Sequence, residues 1–223
     1  MKKVKHSVRY VGEMERGGPV AVPANNDVNS PDLTEDEVSR SEVFIGEERI
    51  YLKILGYIEK STYDVIMPQL IDIIANNITT DICVFIDSTG GAVRPAISIA
   101  NTLKAMKNKV TTIAINECAS AACVLFAVGD ERYMLSGTKF MMHKIKASVG
   151  DVFLNDIEYR KLGLGLKNLE KEYKDLISEG SQMPKEKFEQ IFSSEKDTFF
   201  SDREVLKYRL ATKVFKSFDE INF

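Results

Sequence analysis

The order of hydrophobic patterns along the chain predicts an α/β domain built on a mostly parallel sheet. Three observations carry that prediction. Strand-like and helix-like stretches alternate from Arg49 onward, the order that builds βαβ units. The run Cys83-Val84-Phe85-Ile86 is continuously apolar rather than alternating, as expected of a strand covered on both faces. Glycines and small residues then follow the ends of two such strands, which is where ligands sit in sheets of this kind.

Each element has its own signal. Residues 1–43 read as a poorly ordered extension: the first twenty carry five Lys/Arg against two Glu, whereas 21–48 carry eight Asp/Glu against one Arg. The run 23–32 is full of turn formers, and no apolar periodicity offers a core face. Thr34-Glu35-Asp36-Glu37 has the form of a capping box and predicts a short helix. The structured domain is expected over 44–223. Residues 49–55 read as a strand, 61–77 as a helix, 83–87 as a buried strand, 92–106 as a helix and 110–115 as a strand. Two short strands follow at 132–135 and 139–143. Leu162, Leu166, Leu169, Tyr173 and Leu176 then recur at spacings of four, three, four and three, which predicts a long amphipathic helix over 153–180. Ser201-x-x-Glu204 is a second capping box, opening a short helix through Tyr208, and 213–218 reads as a last strand.

Composition narrows the function classes. A formal net charge of −3 gives no basic footprint for nucleic acid. No stretch approaches the roughly 18–20 apolar residues of a membrane span. The basic N-terminus lacks the apolar region of a secretory signal. Cys83, Cys118 and Cys123 show no C-x-x-C spacing and read as reduced core residues, which fits a reducing cytoplasm. With two histidines in the chain, no metal site and no cofactor are expected.

The chemistry-bearing residues lie at strand ends. Ser120 lies twenty-nine positions after Gly91, and His143 closes the later apolar run 139–143. A serine hydroxyl needs a base to remove its proton, and a neutral imidazole suits that task near neutral pH. Two backbone N–H groups must then meet the oxygen of the tetrahedral intermediate. Taken singly, Ser120 also fits a helix N-cap and His143 a core or loop histidine.

In sequence order, DSTGG (87–91), ECASAAC (117–123) and KFMMHK (139–144) closely resemble the proteolytic subunit of Clp-type proteases. That family shows a Ser-Pro-Gly-Gly turn, a nucleophile turn containing Ala-Ser, and a strand ending Met-Ile-His. The segment 195–215 resembles the family's Asp-Arg-Phe stretch with its capped helix and final strand. The resemblance covers about 44–218 and implies a crotonase-like superhelix of ββα units with a protruding handle helix, here 153–180. It implies a serine endopeptidase in which Ser120 is the nucleophile, His143 the base and Asp197 the orienting carboxylate. Gly91 and Ala121 N–H groups would form the oxyanion hole. Asp202 and Asp87 are the competing carboxylates, and Lys139 or Lys144 the alternative bases. The family implies a homo-oligomer of stacked rings acting on peptides or unfolded proteins, with an ATP-dependent unfoldase as partner.

Several positions depart from the family pattern. Thr89 replaces the proline before the glycines, Ala121-Ala122 replace a bulkier residue and a glycine, and 144–151 is not glycine-rich. Edge pairing with an extended peptide remains expected, because it uses main-chain groups, with a different substrate preference. The extension is unlike the short axial loop of housekeeping members. Other readings of the same residues are a phage capsid-maturation protease of this family, a crotonase-type acyl-CoA enzyme and an inactive scaffold subunit.

Overall fold

The computed structural model describes residues 40–46, 48–146 and 155–221; the expected extension up to residue 39, with its capping box at Thr34, lies outside them. β1 (Glu42–Ile45) pairs antiparallel with β2 (Ile50–Ile58). Ile50, Leu52, Ile54 and Ile58 of β2 are buried. α1 (Lys60–Ala75) follows, capped by the reciprocal pair Glu59 and Thr62. Thr62, Ile66, Leu70 and Ile73 make its buried stripe at helical spacing. β3 (Ile82–Gly91), α2 (Val93–Ala105) and β4 (Val110–Ala119) complete the central unit.

The continuous apolar run in β3 has a clear cause. Val84 and Ile86 join the large core, whereas Cys83 lies in a second cluster with Ile113, Phe215 and Ile221. Burial pushes the Cys83 thiol up to about 12, so it is an inert part of that cluster.

The sheet runs β1-β2-β3-β4-β5-β8, parallel from β2 onward, with β5 at Glu131–Leu135 and β8 at Lys213–Phe215. On the edge away from β3, β4 serves two neighbours. Its residues Thr111–Ala114 pair with β5, while Glu117–Ala119 pair with β6 (Lys139–Met142). Between them the β3 register jumps, from Ile86 opposite Ala114 to Ser88 opposite Cys118. The extra β4 residues are accommodated at Asn116, whose φ is 57°. Asp87 pins them by accepting from Asn116 Nδ2 (3.0 Å) and Glu117 N (3.2 Å). β6 in turn pairs antiparallel with β7 (Thr198–Phe200). The chain therefore has the α/β fold of ββα units that its sequence resemblance implies.

α4 (Asp156–Gly180) is a 25-residue helix whose capping box uses Asn155 and Glu158. Its Tyr173, Leu176 and Ile177 are buried against the core, while Ile157, Tyr159 and Leu164 near its start are 65%, 59% and 62% exposed. The expected stripe therefore divides: Tyr173 and Leu176 are buried, and Leu162, Leu166 and Leu169 are half-buried. Three elements carry too little periodicity to be expected from sequence: β1, β7 and α5 (Lys185–Ser193). The last strand ends at Phe215 rather than 218, because Ser217 caps a 3₁₀ turn over Phe218–Glu220. α3 (Ala122–Ala127) and α6 (Asp202–Lys207) are short, and α6 opens on the Ser201–Glu204 capping box.

Arg132 fastens the C-terminal ends of three helices. It is 6% exposed. Its guanidinium donates to Leu210 O (2.9 Å), Gly129 O (2.8 Å), Gly180 O (2.6 Å) and Arg209 O (3.1 Å). These carbonyls follow or end α3, α4 and α6, where helical carbonyls lack partners and carry negative partial charge. Arg132→Gln is expected to lower unfolding free energy by about 3 kcal/mol or more, since several buried acceptors lose their donor. Urea unfolding checks this. Arg132→Lys should recover little, because one ammonium cannot replace a planar fork of donors.

Candidate active site

Three strand ends meet at the site, and glycine permits the meeting. At the end of β3, Ser88 is buried; its hydroxyl donates to Gly56 O (2.5 Å) and accepts from Gly90 N (3.1 Å). Gly90 and Gly91 have φ of 92° and 138°, the region that favours glycine. A Cβ on Gly90 would lie 2.5 Å from Ala119 O, 2.7 Å from Ser120 Cβ and 2.9 Å from Ala121 N. One on Gly91 would lie 2.2 Å from Ile58 O and 2.9 Å from Tyr57 Cζ. The double glycine thus closes on the serine turn on one side and on β2 on the other.

Ser120 leaves β4 with φ 52°, a left-handed conformation uncommon for a side-chain-bearing residue. Its N–H donates to Met141 O of β6 at 2.8 Å. Its carbonyl accepts from Cys123 N (3.0 Å) and from the Tyr173 hydroxyl (2.8 Å). Ala121 is buried and opens α3, so the first N–H groups of that helix have no partner within it.

His143 directly follows β6 and is half-buried. Its Nδ1 lies 2.6 Å from Lys144 O. A carbonyl can only accept, so this contact puts a proton on Nδ1, and in the neutral ring the lone pair is then on Nε2, the tautomer a base requires. The β4–β6 register pairs Ala119 with Met141, so Ser120 arrives beside Met142, one residue before His143. Among the described residues no hydrogen bond joins the Ser120 hydroxyl to His143 in this conformation.

Asp197 is exposed and immediately precedes β7. The β6–β7 register pairs Phe140 with Phe200, Met141 with Phe199 and Met142 with Thr198. One further step on that register sets His143 opposite Asp197. The segments are also tied by Lys144 and Glu195, 2.9 Å apart, a contact that raises the lysine pKa and lowers that of the carboxyl. Both groups face solvent, so the pair is worth little in stability.

The competing groups have other duties. Asp202 accepts from Ser136 Oγ (2.7 Å) and Gly137 N (3.4 Å), holding the turn between β5 and β6. Asp87 holds the irregular stretch of β4. Lys139 is paired with Glu117 at 2.9 Å and Lys144 with Glu195. Ser88, the packing role of Gly90 and the Tyr173 hydroxyl are absent from the sequence-level site. Ser88 and Gly90 had a signal there, as parts of the DSTGG turn, and the Tyr173 hydroxyl had none. Residues 147–151, most of the segment 144–151 expected to pair with substrate, lie outside the described residues.

An α/β fold of ββα units, with a serine turn, a double glycine and a histidine gathered at its strand ends, is the class that this geometry defines. The chain belongs to the Clp protease family, whose model matches residues 36–218. It is 25% identical over 197 residues to ATP-dependent Clp protease proteolytic subunit 3 of Rhodococcus jostii, covering 87% of this chain and 91% of that one. It is 27% identical over 157 residues to ATP-dependent Clp protease proteolytic subunit 2 of Chlamydia muridarum, covering 70% and 75%. Among the described residues no helix is long and apolar enough to cross a membrane.

Proposed function

We propose that the chain is a serine endopeptidase that cleaves peptides or unfolded proteins. The observation that carries this reading is the Ser120 turn, left-handed, closed upon by Gly90 and bound to the strand that leads into His143. In the proposed reaction His143 Nε2 takes the Ser120 proton as Oγ attacks the peptide carbonyl carbon. Gly91 and Ala121 N–H groups receive the oxygen of the tetrahedral intermediate. Asp197 takes over Nδ1 from Lys144 O and stabilises the imidazolium. The intermediate collapses, His143 passes its proton to the leaving amine, and water then releases the acyl group by the same route. Fluorophosphonate labelling of the wild type, and of Ser120→Ala, tests the assignment. The wild type should be labelled at Ser120 and the variant not at all; equal labelling of both sinks the reading.

The active sites are proposed to face the chamber of a homo-oligomer of stacked rings, fed by an ATP-dependent unfoldase. The support is α4, whose first turns present Ile157, Tyr159 and Leu164 to solvent in the single chain, an apolar surface that a second copy would cover. Wild type should scatter light as a large closed particle, and Ile157→Glu with Leu164→Glu should reduce its mass by placing charge in that contact. A monomeric wild type at micromolar concentration would refute the assembly.

A further inference from the structure

Beneath the serine turn lies a polar cluster that the proposed reaction does not use. Tyr173 is 2% exposed and reaches the turn from α4; its hydroxyl donates to Ser120 O at 2.8 Å. The ring is steadied edge-on against Phe192, with centroids 5.4 Å apart. Desolvation holds the phenol well above its ordinary pKa, so it stays protonated and can only remain a donor to that carbonyl. At the same turn, Met141 O accepts both Ser120 N–H (2.8 Å) and the Cys123 thiol (3.3 Å).

The carbonyl of Ser120 and the N–H of Ala121 belong to one peptide group. That group is planar, and its C=O and N–H point in opposite directions. Whatever fixes the oxygen therefore aims the N–H. A grip on Ser120 O from below sets the angle at which Ala121 N–H meets an oxygen above. The setting matters here because Ser120 sits at φ 52°, which surrounding structure must hold in place.

We infer that Tyr173 is a positioning residue of the oxyanion hole, holding the Ser120–Ala121 peptide so that the Ala121 N–H faces the developing oxyanion. The inference rests on the peptidase reading above. It predicts that the hydroxyl serves the transition state and not substrate binding, because the oxygen acquires its full charge only in the tetrahedral species.

Tyr173→Phe removes the hydroxyl and keeps the ring. Its kcat on a fluorogenic peptide should fall about tenfold, the scale of one neutral hydrogen bond, while KM changes little. A peptide boronate reports the same geometry, since Ser120 Oγ adds to boron and gives a tetrahedral anion. Its inhibition constant should rise by a similar factor of about ten. Ile73→Val, a core truncation in α1, is the control: it leaves Tyr173 and its neighbours untouched, and should lower Tm while kcat is retained. Unchanged kcat and boronate affinity in Tyr173→Phe overturn the inference. So does a Tyr173→Phe that unfolds, or a loss of kcat that Ile73→Val reproduces, because the hydroxyl then serves only the core. Ser120→Ala separates the two levels. Activity surviving in that variant defeats the peptidase reading itself, whereas an inactive Ser120→Ala beside a fully active Tyr173→Phe defeats only the role of Tyr173.

Discussion

Ser120→Ala is expected to lower peptide hydrolysis by at least about 10⁴-fold while leaving the fold intact. The loss is large because the proposed reaction passes through a covalent bond to Oγ, and no other group can supply it. The fold should survive because the contacts that hold the turn are made by the Ser120 backbone. Its N–H bonds Met141 O, its carbonyl is held by Cys123 N and Tyr173, and its Cβ abuts Gly90. Alanine keeps all of these. Circular dichroism and melting of the variant should match wild type, and hydrolysis of a fluorogenic peptide gives the rate. A folded variant that keeps most of its activity would rule out a serine mechanism.

Asp197→Asn is expected to slow turnover by about 10³- to 10⁴-fold, with assembly preserved. The carboxylate has two proposed tasks: to accept from Nδ1 and to stabilise the imidazolium. An amide carries no charge for the second, and by donating its own N–H it can hold the wrong tautomer for the first. Asp197 is exposed, so the substitution removes no core packing. Asp202→Asn is the matched comparison. It should cost about 1 kcal/mol of stability at the Ser136–Gly137 turn and leave kcat near wild type. If the two variants exchange phenotypes, Asp202 is the orienter and the β6–β7 register does not place the carboxylate. A third outcome is informative too: if Asp197→Asn is as active as wild type, Lys144 O alone sets the tautomer.

Much of the architecture is legible because burial repeats at the right period. Ile66, Leu70 and Ile73 mark α1, and the unbroken run in β3 reflects two cores sharing one strand. Ser201 and Glu204 announce α6 through local capping chemistry. What escapes is what depends on pairing between distant segments. β1 and β7 are strands of four and three residues, too short to show alternation, and they exist because neighbouring strands offer them edges. Within the site, Ser120, His143 and the glycines stand out as residue types at strand ends. Asp197 does not: a solvent-facing Asp between Lys and Thr has no signal of its own, and only the likeness to a family singled it out. The Lys144 carbonyl is invisible for a different reason, since every residue has one. Tyr173 was legible as apolar stripe, and its hydroxyl gains a meaning only when the fold brings Ser120 O within reach.

The fastening made by Arg132 has a consequence for the behaviour of the protein in acid. A buried guanidinium usually leans on a carboxylate, and acid dissolves such a pair by protonating the carboxylate. Here the four acceptors are backbone carbonyls, which do not titrate. Burial lowers the pKa of Arg132 from that of a free guanidinium, and a cation with a depressed pKa makes stability rise with pH only in the alkaline range where it begins to lose its proton. Below neutrality Arg132 is charged in folded and unfolded chain alike, so it adds no slope. The hydrogen bonds at the junction of the three helix ends should therefore persist as the medium acidifies, with only the attraction of nearby Glu131 and Asp130 lost, even where surface ion pairs such as Lys144 with Glu195 let go.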